Sequence, residues 1–320
     1  MLTAVIFILI GLIFLLCGAD FFVLGTVAIA NRLKISTLII GLTIVALGTS
    51  LPELTVSVKA AISGNSAISL GNVIGSNIAN ILLVLGLSAL IYPINVNKNA
   101  FIRDFVFLFF TTLIFACFCL TGTLLRWHGW VLLLISFWFI FYNYYMLRRN
   151  KDETDLDIPG NLIGKNWLYI LLATIIGLAG IIYGSDFLVK GAANLASLCG
   201  VSQEVIGLTI IAVGTSAPEL ATSCVAAYRH QNGIALGNVM GSNIWNIVLI
   251  MGITASILDV KISYQFFVFD IWIMLASTTL LLPLLLYKDK LRRCEGLFMF
   301  CCYVAYLYAQ YLIIIKRVIL

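Results

Sequence analysis

"GLTIVALGTSLPEL" (residues 41–54) returns 166 positions later as "GLTIIAVGTSAPEL" (207–220). Each copy sets Gly-Thr-Ser and Pro-Glu inside a run otherwise made of Ile, Leu, Val and Ala. An internal proline removes a helical hydrogen bond at about 3 kcal/mol. A carboxylate near a bilayer centre costs about 2.5–3.5 kcal/mol even on lenient insertion scales. A plain membrane anchor carries neither, and this chain carries both twice.

The repetition runs further in both directions. "LGNVIGSNIANILLVLGL" (70–87) returns as "LGNVMGSNIWNIVLIMGI" (236–253), and "GADFFVLG" (18–25) as "GSDFLVKG" (184–191), at the same offset without a gap. From Gly41 to Leu87, 27 of 47 positions are identical to their partners, which is duplication and not shared composition. Such a period is sought before any other pattern because it determines the architecture.

The surroundings are those of an integral membrane protein. Hydrophobic residues make up 62% of the chain and charged residues 10%, against roughly 25% charged in soluble domains; mean hydropathy is +1.09. Apolar runs long enough to cross a hydrocarbon core predict ten helices, near 2–31, 38–62, 67–90, 104–121, 128–147, 167–197, 205–228, 233–256, 266–286 and 295–315. The N-terminal "MLTAVIFILI" lacks a basic flank and a small-residue cleavage site, so it reads as a retained span and not a signal peptide. The eight cysteines form no C-x-x-C pair and read as reduced thiols acting as small hydrophobes.

Each copy holds five spans. An odd number of crossings turns the second copy upside down, giving two inverted five-helix repeats, a transporter arrangement. The expected division is 1–147 for the first repeat, 148–166 for a cytoplasmic linker and 167–320 for the second repeat. The linker carries Asp152, Glu153, Asp155 and Asp157, read as a solvated segment. With the N-terminus outside, Lys and Arg divide about 13 inside to 5 outside, as the positive-inside rule favours. Both termini are therefore expected outside. The net charge of +5 follows from this topology and does not point to nucleic acid.

The chemistry gathers at the interruptions. Pro52 cannot donate to the carbonyl four residues back, so a helix break is expected that frees carbonyls around Ala46 to Thr49. Thr49 and Glu53 stand one turn apart, with Ser50 between them. Carbonyl, hydroxyl and carboxylate oxygens are what a hard cation such as Ca²⁺ takes. The second copy supplies Ala212, Thr215, Ser216 and Glu219. On the next span Asn72, Ser76 and Asn80 form an i, i+4, i+8 stripe, repeated as Asn238, Ser242 and Asn246. Gly71 with Gly75, and Gly237 with Gly241, are G-x-x-x-G pairs suited to close helix approach. Inversion brings Glu53 and Glu219 together at the midplane, where bare carboxylates repel and a divalent cation or several monovalent ones neutralise them. Asp20 and Asp186 are duplicated too, but sit away from the breaks and read as helix–helix contacts. Asp270, whose offset partner Asp104 falls at the edge of its expected span, is left without a role. His128 and His230 read as loop residues with no metal-ligand spacing.

G-T-S-x-P-E followed by G-N-x-x-G-S-N-x-x-N, present twice, resembles the sodium/calcium exchanger family, most of all its compact prokaryotic members without a large regulatory loop. The likeness covers essentially the whole chain. It implies ten helices and alternating access, with the first and sixth helices sliding against a rigid core. It implies a Ca²⁺ site built from Glu53, Glu219 and oxygens of Thr49 and Thr215. Flanking Na⁺ sites would use Ala46, Ser50, Ala212 and Ser216, with Asn80 and Asn246 completing the middle and Ser76 and Ser242 nearby. Some relatives carry Asp where this chain has Asn246, which leaves a formal charge of −2 at the centre and argues against potassium cotransport. Proton/calcium exchangers place an acid in the second motif, which "GNVIGSN" and "GNVMGSN" lack.

The expected activity is secondary antiport in the cytoplasmic (inner) membrane of a prokaryote. Na⁺ entry drives Ca²⁺ out, the two ions compete for one site, and more than one Na⁺ moves per Ca²⁺. Ca²⁺ and Na⁺ are cargo; no cofactor, nucleic acid or obligatory protein partner is expected beside the lipid bilayer. Ca²⁺/H⁺ exchange and a passive cation channel remain alternatives. An intramembrane enzyme does not fit, since neither H-E-x-x-H nor G-x-S-x-G occurs.

Overall fold

The computed structural model describes residues 1–149, 166–199, 212–286 and 289–319, and every long element in it is a helix. In chain order these are α1 (Leu2–Leu33), α2 (Thr37–Thr49), α3 (Leu51–Ile62), α4 (Ala67–Ile91), α5 (Lys98–Cys119), α6 (Arg126–Arg149), α7 (Trp167–Leu198), α8 (Ala212–Thr215), α9 (Ala217–Tyr228), α10 (Asn232–Ile257), α11 (Phe266–Leu285) and α12 (Arg293–Ile319). Among the described residues eight helices are long and apolar enough to cross a bilayer, or nine when the bent pair α2 and α3 counts as one span. The span expected at 205–228 lies partly outside the described residues, as does most of the 148–166 linker.

α1 and α7 each have 32 residues, about 48 Å at 1.5 Å per residue. That exceeds a hydrocarbon core of about 30 Å, so each crosses tilted. They pack along their length in antiparallel order, Gly11 against Leu188, Gly18 against Ile181 and Gly25 against Thr174. Glycine recurs every seventh residue on both, at 11, 18 and 25 and at 177, 184 and 191. A methyl group at any of these six would press on the other helix's backbone, so the seam exists because glycine lets two backbones meet.

Two short antiparallel ribbons tie the halves of the chain together. β1 (Ile94–Asn95) pairs with β4 (Lys290–Leu291), and β2 (Thr123–Leu124) with β3 (Val260–Lys261). The apolar outer faces of α1, α6, α7 and α12 are exposed, as lipid-facing surfaces must be. α10 is 94% buried over its spanning window, whereas α12 is 17% buried. α10 is therefore the centre of the bundle, and its polar stripe must be satisfied internally.

Among the described residues four helices contain a widened turn of the π type: Gly41–Val45 in α2, Asn80–Leu85 in α4, Asn246–Met251 in α10 and Phe266–Asp270 at the start of α11. Two of them begin at Asn80 and Asn246. Such turns release backbone groups from the regular ladder and are frequent at functional sites. The Trp245 indole N–H donates to the Leu42 carbonyl at 3.0 Å, satisfying one of them.

Two side chains lie deeper than expected. Asp104 sits within α5, 3% exposed, and pairs with its neighbour Arg103. His128 is buried in the first turn of α6, where its Nδ1 accepts from the Leu125 N–H at 3.0 Å, closing the helix start.

Candidate functional site

Both breaks fall on serine. α2 ends at Thr49, Ser50 has φ −82° and ψ 5°, and α3 leaves at 46° to α2. In the second copy Ser216, at φ −86° and ψ 4°, separates α8 from α9. Pro52 and Pro218 then sit in the first turn of the following helix, where the missing N–H is unneeded and the fixed φ is already helical. The break frees less carbonyl than the proline alone suggests. Ala46 O still accepts from Ser50 N–H at 3.1 Å and from the Thr49 hydroxyl at 3.3 Å.

Glu53 and Glu219 occupy the first turns of α3 and α9, where the helix dipole favours negative charge. Both are fully buried, and Ser50, three residues before Glu53, reaches Glu219 Oε1 at 3.0 Å. No ion pair reaches either among the described residues.

Asn72 and Asn238 hold the geometry from both sides. Asn72 donates to Glu53 O at 3.3 Å and to Ser57 Oγ at 2.9 Å; Asn238 donates to Glu219 O at 3.4 Å and to Ser223 Oγ at 2.9 Å. Their amide oxygens accept across copies, from the Thr215 hydroxyl on Asn72 at 3.2 Å and the Thr49 hydroxyl on Asn238 at 3.1 Å. Each asparagine thus ties its own copy's glutamate turn to the other copy's threonine.

A second amide cluster orients the middle. Asn77 and Asn243 exchange hydrogen bonds, each amide donating to the other's backbone carbonyl at 3.3 and 3.2 Å. Their side-chain oxygens accept the amides of Asn246 and Asn80, both at 3.1 Å. The N–H₂ groups of Asn80 and Asn246 each make one of these bonds, and their oxygens are left without a partner. Asn77 and Asn243 were not singled out as site residues. Their signal was the duplicated asparagine inside G-N-x-x-G-S-N, whose bonding is invisible until the two copies face each other.

The serines are unequal. Ser50 donates to Glu219 Oε1 at 3.0 Å, whereas Ser216 donates to Ser76 Oγ at 3.2 Å. The Ser242 hydroxyl lies 3.5 Å from both Glu219 Oε1 and Ala46 O. Both Glu53 oxygens, Glu219 Oε2, Asn80 Oδ1 and Asn246 Oδ1 are buried without a hydrogen-bond partner. Five orphaned acceptors in one cluster are expensive unless something other than a protein donor satisfies them. The expected residues thus gather around the two breaks, except that Ala212 is described only through its backbone at the head of α8.

Asp20 and Asp186 stand apart from this cluster. Asp20 of α1 is held by Arg229 at the end of α9, with Nη2 to Oδ2 at 2.6 Å, and Asp186 pairs with Lys190 on its own helix at 2.6 Å. Asp270 accepts from the Tyr306 hydroxyl at 3.0 Å and from Gln310.

The sequence profile described as "Sodium/calcium exchanger protein" matches residues 3–146 and again 169–312. CaxA of Alkalimonas amylolytica is 39% identical over 317 residues, covering 96% of this chain and 98% of that one. The sodium/calcium exchanger MaX1 of Methanosarcina acetivorans is 31% identical over 336 residues, covering 94% and 96%. The solved structure of the sodium–calcium exchanger NCX_Mj, soaked with sodium and without calcium, superposes with a TM-score of 0.83 at 34% identity, covering 96% of this chain and 98% of that one.

Proposed function

We propose, for a chain that belongs to the sodium/calcium exchanger family, that it exchanges Na⁺ for Ca²⁺ by alternating access at a site between Glu53 and Glu219. The observation that carries this reading is the cluster of five buried acceptors without protein donors. They are hard oxygens, two amide and three carboxylate, of the kind Ca²⁺ takes six to eight of. Two carboxylates balance one divalent cation. Matching that charge takes at least two Na⁺, and a third would make the cycle electrogenic. Competition then couples the fluxes, because only a filled and neutral site crosses between the two openings.

The ions meet named groups. Glu53 and Glu219 bridge Ca²⁺ with oxygens of Thr49 and Thr215, while Asn80 and Asn246 aim their carbonyl oxygens at it. Ser50 with Ala46, and Ser216 with Ala212, flank the centre for Na⁺, with Ser76 and Ser242 beside them. Asn72, Asn77, Asn238 and Asn243 do not bind ions; they fix the orientation of those that do.

Two inverted five-helix repeats, 1–147 and 167–320, account for the reciprocal bonding. Residue pairs repeat with the roles of the copies exchanged, Thr49 to Asn238 and Thr215 to Asn72, as an isologous two-fold contact requires. The antiparallel α1–α7 seam and the profile's second match, offset by 166, support the same arrangement and ten crossings. With both termini outside, the α9 end carrying Arg229 faces the cytoplasm. α1 packs along α9 there, so this conformation is closed toward the cytoplasm.

Calcium-45 uptake into everted vesicles tests the reading, driven separately by imposed sodium and proton gradients. Sodium-driven uptake that disappears in Glu53→Gln and Glu219→Gln is the expected result. Uptake driven by protons and indifferent to sodium would assign Ca²⁺/H⁺ exchange instead. Charge movement in liposomes without counter-ion flux would assign a channel.

A further inference from the structure

Thr222 lies one helical turn beyond Glu219 on α9 and is fully buried, yet its hydroxyl has no hydrogen-bond partner. Many threonines elsewhere in these helices satisfy themselves by donating to the carbonyl one turn back. Thr26 donates to Phe22 O at 2.8 Å, Thr112 to Leu108 O at 2.8 Å, Thr174 to Ile170 O at 2.9 Å and Thr278 to Met274 O at 2.9 Å. Thr222 does not, although the same local bond is open to any helical threonine. A buried hydroxyl left unmatched is unfavourable, and an apolar group of the same shape would remove the penalty.

The position has no equivalent in the first copy. There the residue 166 earlier is Val56, which is partly exposed, as is Ala60 one turn on, while Thr222 and Ala226 are enclosed. Positions 219, 222, 226 and 229 share one face of α9 by helical spacing. That face runs from the glutamate to Arg229, which grips Asp20 of α1. The hydroxyl therefore stands between the carboxylate and the closed end of the bundle, one turn from Glu219, whose Oε2 is itself unpartnered. Together they present one negative charge and one neutral dipole, a donor set matched to a monovalent hard cation that keeps part of its hydration.

We propose that Thr222 is a further oxygen for Na⁺, present on the second copy only, so that the two flanks of the glutamate pair hold sodium unequally. This rests on the exchanger reading above and adds a residue to it. A neutral oxygen on the α9 side favours Na⁺ over Ca²⁺ during passage toward the Arg229 end, where Val56 offers nothing comparable on the α3 side.

The test is ion-dependent thermal unfolding of the purified full chain in lipid nanodiscs, titrated with NaCl against choline chloride and separately with CaCl₂. The wild type, Thr222→Val and Thr222→Ser are compared. Thr222→Val is expected to melt no lower than wild type without ions, and to need about tenfold more Na⁺ for the same shift, the loss of roughly one good ligand contact. Its Ca²⁺ dependence stays within about twofold of wild type, well inside that tenfold step. Thr222→Ser keeps the wild-type response. A Thr222→Val protein with wild-type Na⁺ dependence overturns the proposal, as does equal weakening toward both ions. A wild type with no Na⁺- or Ca²⁺-dependent shift overturns the exchanger reading itself, and this proposal with it.

Discussion

The two broken helices, α2–α3 and α8–α9, are nearly the same object made twice. Their hinge serines differ by only a few degrees in φ and ψ, and their asparagine clamps agree to 0.1 Å in each paired distance. What surrounds them differs. α1 packs along α9, whereas α7 has no comparable contact with α3 among the described residues. Arg229 at the end of α9 reaches Asp20; the matching position is Ser63, and Asp186 turns to Lys190 instead. Glu219 accepts from Ser50, while both oxygens of Glu53 remain unpartnered. The hinge and its clamps thus belong to the repeat, and the difference between the two ends belongs to the α1–α7 pair that covers one and not the other.

The carboxylates give the largest expected effect. Removing one charge from a buried, compensated set costs about 3–5 kcal/mol, roughly a hundredfold or more in affinity. Glu53→Gln and Glu219→Gln should each raise the Ca²⁺ concentration for half-maximal sodium-driven uptake by at least that factor. Glu53→Gln should be the more severe, because neither of its oxygens has another partner. Equal insensitivity of the two would break the picture of a shared central site.

The glycine seam comes next. Gly184→Leu places a side chain against the backbone of α1 near Leu15, and overpacking of this kind costs about 1–3 kcal/mol, occasionally more. If α1 and α7 move as a pair, the variant should still bind Ca²⁺, seen as a retained thermal shift, while exchange falls at least tenfold. That outcome would separate the covering pair from the site it covers.

Much of this is legible in the sequence. That the helices break beside the two glutamates, with the Asn80 and Asn246 amides on the next span, follows from one motif met twice in apolar surroundings; that the breaks fall on Ser50 and Ser216, with Ala46 O still bonded, does not. The glycine heptad was also on view, but it acquires meaning only when α1 and α7 are known to touch. The Asn77–Asn243 exchange and the Asp20–Arg229 pair join residues 166 and 209 positions apart, and no local periodicity reports such contacts. The widened turns were hidden for another reason. Three of the four start at Asn or Phe, of ordinary helical propensity, and the one that starts at Gly41 has a remote donor, Trp245, on its Leu42 carbonyl.

The amide clamp yields an intermediate effect with a symmetry test built in. Asn77→Ala and Asn243→Ala each free one of the middle amides to rotate, since Asn246 and Asn80 lose the acceptors that orient them. Loss of such a supporting partner reduces metal affinity about 10–100-fold. The two variants should weaken Ca²⁺-dependent uptake by the same factor, because their bonds are reciprocal. A large difference between them would mean that the copies diverge at the centre as well as at the ends.

The smallest effect is expected at the latch between Asp20 and Arg229, and it bears most directly on why the two ends differ. The side chains are 38% and 30% exposed, so water and salt screen the attraction. Pairs of this kind contribute about 0.2–1 kcal/mol, at most roughly a fivefold change in an opening equilibrium. Arg229→Gln or Asp20→Asn should therefore speed modification of a cysteine placed at Ala226, in a background cleared of native cysteines, by up to about fivefold, with less effect at high salt. Exchanging the two charges, Asp20→Arg with Arg229→Asp, should restore the slow rate. Asp186→Asn severs only a contact within α7, so labelling at a cysteine placed at Ala60 should not change. If breaking either aspartate's pair altered both ends alike, the asymmetry would have to reside in the packing of α1 along α9 and not in the ion pair that closes its end.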